Sequence, residues 1–480
     1  MSTRLSRGGR LIDRSKAQDF PFNGLRMRGF VGDTLASALL ARNQMMLGRS
    51  FKYHHPRGVV GSGTEEPNAL MNLGQGRRFE PNQRATTTEL FDGASFGSQN
   101  HWPSLDFDIG VLNNYVSRFL PAGFYYKTFI HSRAAWKYLF EPIIRQSAGL
   151  GRVPTEPDAD RYEYLYAFTD VLVAGGGIAG LQAALEAGRA GLRVMLLEQT
   201  AHWGGRAPVD GVVIDGKPAD DWVKDSVEAL ENMENVTLRL RCLVAGVYDH
   251  GYVLADEKVA DHTPGDGRPR HRLWRIRAGR IITATGAIER PLSFAGNDVP
   301  GVMLAGAVRD HVVNWGVSPG DRTVVVTNND DAYRTAIALV EAGLSVPVIV
   351  DARPAVSGAL PQRARELGIR VEAGRGIAKV KGWRRVTGVA ICLQAGEGGA
   401  LEKIACDAVA MSGRLVAGGA SVVPLRRQAF VGRGAIAFPS RPEPLAAGRG
   451  WCGLRADGGD GKRAASVRRC AGGCRRRRSG

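Results

Sequence analysis

The sequence predicts an α/β protein with two related doubly wound folds behind a separate N-terminal region, and three observations support this prediction. A strand, a glycine turn, a helix and a second strand follow one another from Asp170 in the run DVLVAGGGIAGLQAALEAGRAGLRVMLLEQ. A second run, from Arg322, aligns with it at a constant offset of 152 residues. Ahead of both, short apolar runs alternate with turn signals, and an N-capped helix is expected over 35–42. Strands that alternate with helices favour mostly parallel sheets.

The first unit contains the glycine motif Gly175-x-Gly177-x-x-Gly180 between its strand and its helix. The first glycine permits a tight turn, the second leaves room for a pyrophosphate, and the third lets the helix pack closely on the strand. The start of the helix offers free N–H groups and the positive end of its dipole to phosphates. A plain glycine-rich turn is the alternative, but the flanking strand and helix favour a dinucleotide-binding site.

An acidic residue follows this motif at the expected distance. Glu198 closes the second strand, 23 residues after Gly175, where a carboxylate can meet the ribose hydroxyls of a bound nucleotide. A carboxylate there repels a 2′-phosphate, which favours NAD or FAD over NADP. Arg206, in the run HWGGR, complicates this choice because an arginine can face a phosphate; an arginine that is simply solvated is an equal alternative.

A second motif is the run IITATGAIERP at 281–291. A strand is predicted to end at Thr285 and Gly286, ahead of the second unit. The run resembles the strand and turn that pass beside the bound dinucleotide in flavoprotein enzymes of the disulfide-reductase type. An ordinary strand ending is the alternative.

The second unit, at about 320–380, lacks the three glycines of the first. Thr327, Asn329 and Ala332 stand at the corresponding positions. Side chains there would crowd a pyrophosphate, and Asp330 and Asp331 would repel it. We predict that this degenerate fold keeps its packing but does not bind a nucleotide tightly.

The composition of the 480 residues, with 44% hydrophobic and 23% charged, is that of a globular protein. Stretches of about 20 apolar residues are absent, so no membrane association is expected. The six cysteines form no CxxC pair and none precedes Cys242, so we expect a reducing, cytoplasmic setting and no metal site. No Ser-His-Asp or paired-carboxylate pattern stands out, and no catalytic residue is assigned.

The net charge of +17 would suggest binding to nucleic acid, but this charge is concentrated at the C-terminus. Residues 414–480 contain 15 basic and 3 acidic residues, a net of +12, which leaves only +5 for the rest of the chain. Arg, Gly and Ala dominate this tail, and no helical or strand period survives in it, so we predict that it is poorly ordered. No nucleic-acid partner is expected for the folded part.

In the order of its motifs, the chain resembles the α subunit of heterotetrameric sarcosine oxidase over about residues 15–413. Besides the glycine motif, the resemblance is carried by four runs: FNGLRMRGFVGDTLASALLA (22–41), SFKYHHPRGVVGSGTEEPNAL (50–70), YDHGYVLA (248–255) and ATGAIERP (284–291). The first two runs are similar to a ferredoxin-type domain, which implies a smaller α+β domain ahead of the two doubly wound folds. Because no cysteine precedes Cys242, we expect that domain to lack an iron–sulfur cluster.

This resemblance implies a subunit that holds cofactors. In that family the α subunit binds NAD in its first fold, shares an FMN with a β subunit that carries FAD, and assembles with γ and δ subunits. The complex oxidatively demethylates sarcosine to glycine, forms peroxide and passes a one-carbon unit to tetrahydrofolate. Substrate oxidation occurs on the β subunit, so the residues carried over are cofactor contacts, with the backbone of Val244 placed against adenine: Gly175, Gly177, Ala179, Gly180, Glu198, Gln199, Gly205, Arg206, Val244, Thr285 and Gly286.

Four regions are expected: a ferredoxin-like domain (15–110), a helical linker region (111–167) with a buried helix over 136–146, the NAD-binding domain (168–413) and the tail (414–480). The family continues past Gly413 with a folate-binding domain, whereas Arg-Gly-Ala-rich sequence follows here. Our hypothesis is that this tail is read out of frame, which the other reading frames after codon 413 would test. The tetrahydrofolate site is then expected to be absent.

Two other interpretations stay open. The chain could be a subunit of a related amine or opine dehydrogenase, such as an opine oxidase or hydrogen cyanide synthase, because these share the ferredoxin-like and dinucleotide-binding arrangement. The HHPRG loop and the lack of N-terminal cysteines favour sarcosine oxidase. The chain could also be a truncated, non-catalytic scaffold. Co-purification with partner subunits, followed by an assay of sarcosine oxidation, separates these interpretations.

Overall fold

The structure, a computed structural model, describes most of the chain up to residue 417. The predictions for the tail from 414 onwards lie mostly outside the described residues, apart from three short strands, Leu415–Ala417, Phe430–Gly432 and Ala435–Pro439. The described residues are 2–119, 123, 132–147, 149, 151–394, 402–417, 430–432 and 435–439.

The N-terminal domain is an α+β unit, as predicted. Its five-stranded sheet has the order β2-β1-β7-β5-β6, while β3 and β4 form a separate hairpin. Its α-helix begins after Thr34, whose side chain accepts a hydrogen bond from the backbone of Ser37 in a capping box. The elements are β1 (Asp13–Phe22), β2 (Leu25–Val31), α1 (Leu35–Ala41), β3 (Gly48–Arg49), β4 (Pro56–Arg57), β5 (Leu70–Leu73), β6 (Glu80–Arg84) and β7 (Phe96–Ser98).

Between this domain and the first doubly wound fold, the described residues include several short helices. Short 3₁₀ helices occur at Ile109–Asn114 and Ser117–Phe119, and a helical segment follows that consists of α2 (Arg133–Ala135), a π turn (Trp136–Phe140) and α3 (Glu141–Ser147). The expectation of a buried helix over 136–146 is wrong, because Tyr138 is 74% exposed. The next strand begins at Tyr162, so it crosses the expected domain boundary at 168.

The first doubly wound fold has the sheet order β12-β9-β8-β15-β14-β13. The strands β12, β9, β8 and β15 are parallel, and β13 to β15 form an antiparallel meander. Its elements are β8 (Tyr162–Ala174), α4 (Ile178–Arg189), β9 (Val194–Leu197), β10 (Val213–Ile214), β11 (Lys217–Pro218), α5 (Ala219–Glu231), β12 (Val236–Arg239), β13 (Cys242–Tyr248), β14 (Tyr252–Lys258) and β15 (His271–Thr283).

The second fold repeats this arrangement, which confirms the internal repeat. Its parallel sheet has the order β17-β24-β18-β19-β20, so in both folds the first strand of the repeat lies between the second strand and the last. Its elements are β16 (Ala287–Glu289), β17 (Val302–Leu304), α6 (Ala305–Trp315), β18 (Thr323–Thr327), α7 (Asp331–Glu341), β19 (Ile349–Asp351), α8 (Ala359–Glu366), β20 (Val371–Ala373), β21 (Arg375–Gly382), β22 (Val386–Leu393), β23 (Glu402–Ile404), β24 (Ala408–Ser412) and β25 (Leu415–Ala417).

The N-terminal domain and the second fold share one hydrophobic core, whereas the first fold has separate cores. The core of the N-terminal domain, with Leu39 and Phe96, is continuous with that of the second fold, with Val325 and Leu339. The first fold has its own core on each face of its sheet. A bidentate ion pair between Arg241 and Glu89, with N–O distances of 2.6 and 2.8 Å, joins the first fold to the N-terminal domain.

Candidate nucleotide-binding site

Two of the three predicted glycines are required by close packing of the turn between β8 and α4. Gly175 has a φ of +108°, and a Cβ there would lie 2.4 Å from the carbonyl oxygen of Ala284. A Cβ at Gly180 would lie 1.8 Å from the carbonyl oxygen of Gly175. Backbone oxygens cannot move aside, so any side chain at these positions would separate the helix from the sheet.

The middle glycine has a different role. Gly177 has ordinary extended backbone angles, φ −73° and ψ −178°, and it is the N-cap residue of α4. The atom closest to a Cβ built there is the Cα of Gly205, at 4.0 Å. No side chain of the described residues caps the helix at this position. Open space in front of an uncapped helix start is the geometry that accepts a phosphate group.

The carboxylate of Glu198 lies at this turn, as the motif predicts. Its side chain is buried, and Oε2 accepts a hydrogen bond of 2.6 Å from the backbone N–H of Gly176. Oε1 accepts from the backbone N–H and the hydroxyl of Thr200, at 2.8 and 2.9 Å. Glu198 therefore fixes the glycine turn to the end of β9. Each carboxylate oxygen has two lone pairs, so the group can still accept a hydrogen bond from a ribose hydroxyl.

The loop HWGGR packs against the same turn. The backbone N–H of Gly204 donates to the carbonyl oxygen of Gly176 at 2.8 Å. A Cβ at Gly176 would lie 2.4 Å from the ring of Trp203, so the indole covers that glycine closely. Gly205 has a φ of +56°, and a Cβ there would lie 3.2 Å from the Cα of Gly177. The loop thus forms one wall of the space in front of α4.

The guanidinium of Arg206 lies in a network of charges between the two folds. Its Nη1 lies 2.9 Å from Oδ2 of Asp310 in α6, and its Nη2 lies 3.5 Å from Oδ1 of Asp210. The fully buried Arg309 pairs with Asp210 and with Asp331, both at 2.9 Å. Arg206 is therefore paired with carboxylates of the protein, and the sequence did not predict this pairing.

The pKa values in this network follow from burial and charge. Burial alone would lower the pKa of Arg206, but the carboxylates of Asp310 and Asp210 outweigh it and raise that pKa. Burial raises the pKa of Asp210, against the opposing charges of Arg309 and Arg206. Burial also raises the pKa of Glu289, which accepts a hydrogen bond of 2.7 Å from the backbone N–H of Gly306 at the start of α6. Paired charges keep Arg206 ionised.

The remaining predicted contacts lie around this turn without direct bonds to it. Ala179 and Gln199 are exposed, on the first turn of α4 and just after β9. Val244 lies opposite Ala255 in the β13–β14 ladder, and that strand begins where Cys242 donates its N–H to the carbonyl oxygen of Glu198. Thr285 and Gly286 are exposed and follow β15, which ends beside Gly175. Their roles as cofactor contacts stay predictions.

Residues 169–413, slightly more than half of the chain, match the family described as pyridine nucleotide-disulphide oxidoreductase. The chain belongs to the pyridine nucleotide-disulphide oxidoreductase family. Residues 15–101 match a second family, described as a 2Fe-2S iron-sulfur cluster binding domain. Together these matches cover the described N-terminal domain and both doubly wound folds.

The resemblance to the α subunit of sarcosine oxidase is also confirmed. Sarcosine oxidase subunit alpha of Rhizobium meliloti (strain 1021) is 47% identical over 414 residues, which are 86% of this chain and 41% of that protein. The subunit alpha of Corynebacterium sp. (strain P-1) is 36% identical over 369 residues, 76% of this chain and 33% of that protein. This chain therefore spans less than half the length of these relatives.

A solved structure with the same fold is that of L-proline dehydrogenase from P. horikoshii. It has a TM-score of 0.53 and 20% sequence identity, and the match covers 87% of this chain and 63% of that chain. At this identity the likeness supports the arrangement of the pyridine nucleotide-disulphide oxidoreductase fold and nothing finer. None of the described helices is long and apolar enough to cross a membrane.

In the second fold, side chains occupy the turn that corresponds to the glycine motif. The amide of Asn329 donates to the hydroxyl of Ser412 at 2.9 Å, and its oxygen accepts from the N–H of Asp331 at 3.0 Å. At the end of β19, Asp351 is fully buried and binds Tyr333 and Arg353, at 2.8 and 2.7 Å. The positions equivalent to the open turn and to Glu198 are thus engaged within the protein.

The N-terminal domain does not fit an iron–sulfur cluster, despite its family's description. Such clusters are ligated by cysteine thiolates, and residues 15–101 contain no cysteine. The loop before β5 is held instead by the buried carboxylate of Glu66, which accepts hydrogen bonds from four backbone N–H groups, at 2.6 to 3.1 Å: Val60, Gly61, Asn68 and Ala69. No group of His, Cys, Asp and Glu suited to a metal occurs in the described part of the chain.

Sequence reasoning missed three residues of this site. Gly176 lies between Gly175 and Gly177 and is not one of the three motif glycines. Its role becomes clear only from its hydrogen bond to Glu198 and its contact with Trp203. Trp203 was visible within HWGGR as an aromatic residue before two glycines. No sequence pattern indicates the role of Asp310, because it lies 104 residues after Arg206, the arginine that it binds.

Proposed function

We propose that this chain is the NAD-binding part of the α subunit of a multisubunit sarcosine oxidase. The observation that carries this proposal is the open, uncapped start of α4 at Gly177, with the carboxylate of Glu198 fixed beside it. The identity of 47% to a sarcosine oxidase subunit alpha over 86% of this chain supports the choice of complex.

The residues would hold NAD in the following way. The first N–H groups of α4 would bind the pyrophosphate, and Glu198 would accept hydrogen bonds from the adenosine ribose. The backbone of Val244 would meet adenine, with Thr285 and Gly286 flanking the site. Bound NAD supplies a nicotinamide ring that can accept or donate a hydride. The negative charge of Glu198 would disfavour the 2′-phosphate of NADP.

In the proposed complex, this chain holds and orients cofactors and does not itself oxidise the substrate. The β subunit would carry FAD, an FMN would lie between the two subunits, and γ and δ subunits would complete the assembly. Sarcosine, oxygen and water would yield glycine, formaldehyde and hydrogen peroxide.

The experiment that tests this proposal has two measurements. The small molecules released from the purified, denatured chain are identified by mass, and NAD is the expected product. The chain is then co-expressed with β, γ and δ subunits, and the purified assembly is assayed for sarcosine-dependent peroxide formation. Release of FAD alone, without NAD, would contradict the cofactor assignment. An assembly that oxidises an opine but not sarcosine would contradict the substrate assignment.

A further inference from the structure

The N-terminal part of β8 exposes a row of aromatic side chains, whereas the C-terminal part of the strand is packed on both faces. Alternate residues of β8 point away from the core, and these are 44, 64, 68 and 70% exposed: Tyr162, Tyr164, Tyr166 and Phe168. Ala167, between Tyr166 and Phe168, packs instead against the core that contains Ile276 and Val253. Folded proteins rarely expose aromatic side chains in such a continuous row.

Arginines and further tyrosines continue this row across the sheet. In the register between the strands, Tyr166 lies beside Arg275 and Phe168 beside Arg277. Arg277 in turn lies opposite Tyr252 of β14, which pairs with Tyr248 of β13. We call this surface the tyrosine–arginine face and define it by seven residues: Tyr164, Tyr166, Phe168, Tyr248, Tyr252, Arg275 and Arg277.

The arginines of the tyrosine–arginine face are held by aromatic rings and not by acids. The guanidinium of Arg275 lies 5.7 and 5.4 Å from the ring centroids of Tyr164 and Tyr166. That of Arg277 lies 4.7 Å from the ring centroid of Tyr252. Neither arginine has an ion pair with a carboxylate among the described residues. By contrast, Arg272 on the opposite face of β15 pairs with Glu163 at 2.8 Å.

We propose that the tyrosine–arginine face is the docking surface for a separate subunit whose contact region carries carboxylates among apolar side chains. Tyrosine and arginine are the residues that contribute most to binding energy at protein interfaces. Two guanidiniums that are fixed in place but lack acidic partners call for carboxylates on the other side. A second copy of this chain fits less well, because it would bring Arg275 and Arg277 against their own counterparts.

This inference rests on the proposed function, since it assigns a surface to one of the partner subunits. The test uses the full chain and measures its affinity for the β subunit, for the γ and δ subunits, and for all three together, by biolayer interferometry. Two double variants change the face: Tyr166→Glu with Phe168→Glu, and Arg275→Glu with Arg277→Glu. Leu25→Glu is the matched control, because Leu25 is 64% exposed on β2, in another domain.

We expect each double variant to weaken binding of at least one subunit by tenfold or more, and Leu25→Glu to change it by less than twofold. An increase of NaCl from about 0.05 to about 0.5 M should weaken binding of the unchanged chain more than that of the arginine variant, because salt screens charge pairs. All variants should keep the Tm and the NAD affinity of the unchanged chain, since these side chains lie away from the glycine turn.

Three results would overturn the inference. One is normal subunit binding by both double variants, which removes the docking surface but leaves the proposed function intact. Another is a dimer of this chain that both double variants abolish while subunits do not bind, which assigns the face to a second copy. A chain that binds NAD but none of the three subunits also overturns it. Failure to bind NAD would instead count against the proposed function, whatever the face does.

Discussion

The guanidinium of Arg206 and the carboxylate of Asp310 lie 2.9 Å apart and join the glycine-turn loop of the first fold to α6 of the second. The hydroxyl of Ser62, in the N-terminal domain, donates to the same carboxylate oxygen at 2.6 Å. One acidic residue thus connects all three described units at the back of the candidate site. An arginine held in this way is positioned before any cofactor arrives, which reduces the entropy that binding must overcome.

The substitution Asp310→Asn should destabilise the protein by roughly 1–3 kcal/mol, because it leaves the partly buried Arg206 with one distant carboxylate. The free energy of unfolding in urea measures this effect. The matched control is Asp220→Asn, since Asp220 also pairs with an arginine, Arg10, but is 60% exposed. A surface pair of that kind contributes at most about 1 kcal/mol. Equal losses in the two variants would contradict a special role for Asp310.

Gly177→Ala should abolish NAD binding while the protein stays folded. The backbone angles of Gly177 suit any residue, and a Cβ would meet nothing closer than 4.0 Å except a bound phosphate. Isothermal titration with NAD and a thermal melt measure the two properties. Gly180→Ala is the contrasting variant, because its Cβ would lie 1.8 Å from a carbonyl oxygen, so the fold itself should be lost. A Gly177→Ala chain that binds NAD normally would place the pyrophosphate elsewhere.

Glu198→Gln should narrow the preference for NAD over NADP. The substitution removes the negative charge that repels a 2′-phosphate and keeps the size of the side chain. It also turns one of the two oxygens that accept hydrogen bonds from Gly176 and Thr200 into an NH2 group that cannot accept them, so the Tm should fall by a few degrees. The dissociation constants of both nucleotides, measured by titration, give the ratio. An unchanged ratio of the two dissociation constants would mean that Glu198 stabilises the turn but does not select between NAD and NADP. Gln182→Glu, on the exposed side of α4, is a suitable control for charge.

His311 should make the protein less stable as the pH falls from about 6.5 to about 4. This residue is completely buried in α6, and burial lowers the pKa of its imidazole to about 4. The unfolded chain takes up a proton near pH 6.5, whereas the folded chain does so only near pH 4. The free energy of unfolding therefore falls across that window, and the loss is about 2 kcal/mol at pH 5. Unfolding in urea at pH 7 and pH 5 measures the loss. The variant His311→Gln should show a smaller one.

His271 gives the opposite pH dependence and serves as the contrast. Its two ring nitrogens lie 3.1 Å from Asp256 and 2.9 Å from Asp261. Burial alone would lower the pKa of this histidine, but the two carboxylates raise it to about 9. Its contribution to stability is therefore present at pH 6 and is lost as the pH rises through 9. If His271→Gln changed the free energy of unfolding only at acidic pH, this assignment would be wrong.

The parts of the fold that were predictable are those that depend on local spacing. The strand, turn and helix around Gly175 and the carboxylate of Glu198 all lie within about thirty residues, and their order alone fixes their geometry. The repeat from Arg322 was visible for the same reason. The contacts of Arg206 were not predictable, because its partners come from loops and helices that meet only in the folded chain. The exposed start of β8 at Tyr162 was missed since a linker was expected there.

The carboxylate of Glu66 has a consequence for how the N-terminal domain reaches its final shape. It gathers four backbone N–H groups into one loop and is covalently part of the polypeptide. A loop that must wrap an inorganic cluster becomes ordered only after delivery of that cluster, and it loses its order when oxidants destroy it. Here the carboxylate that organises the loop is a side chain of the polypeptide itself. The loop is therefore held by an acceptor that its own sequence supplies.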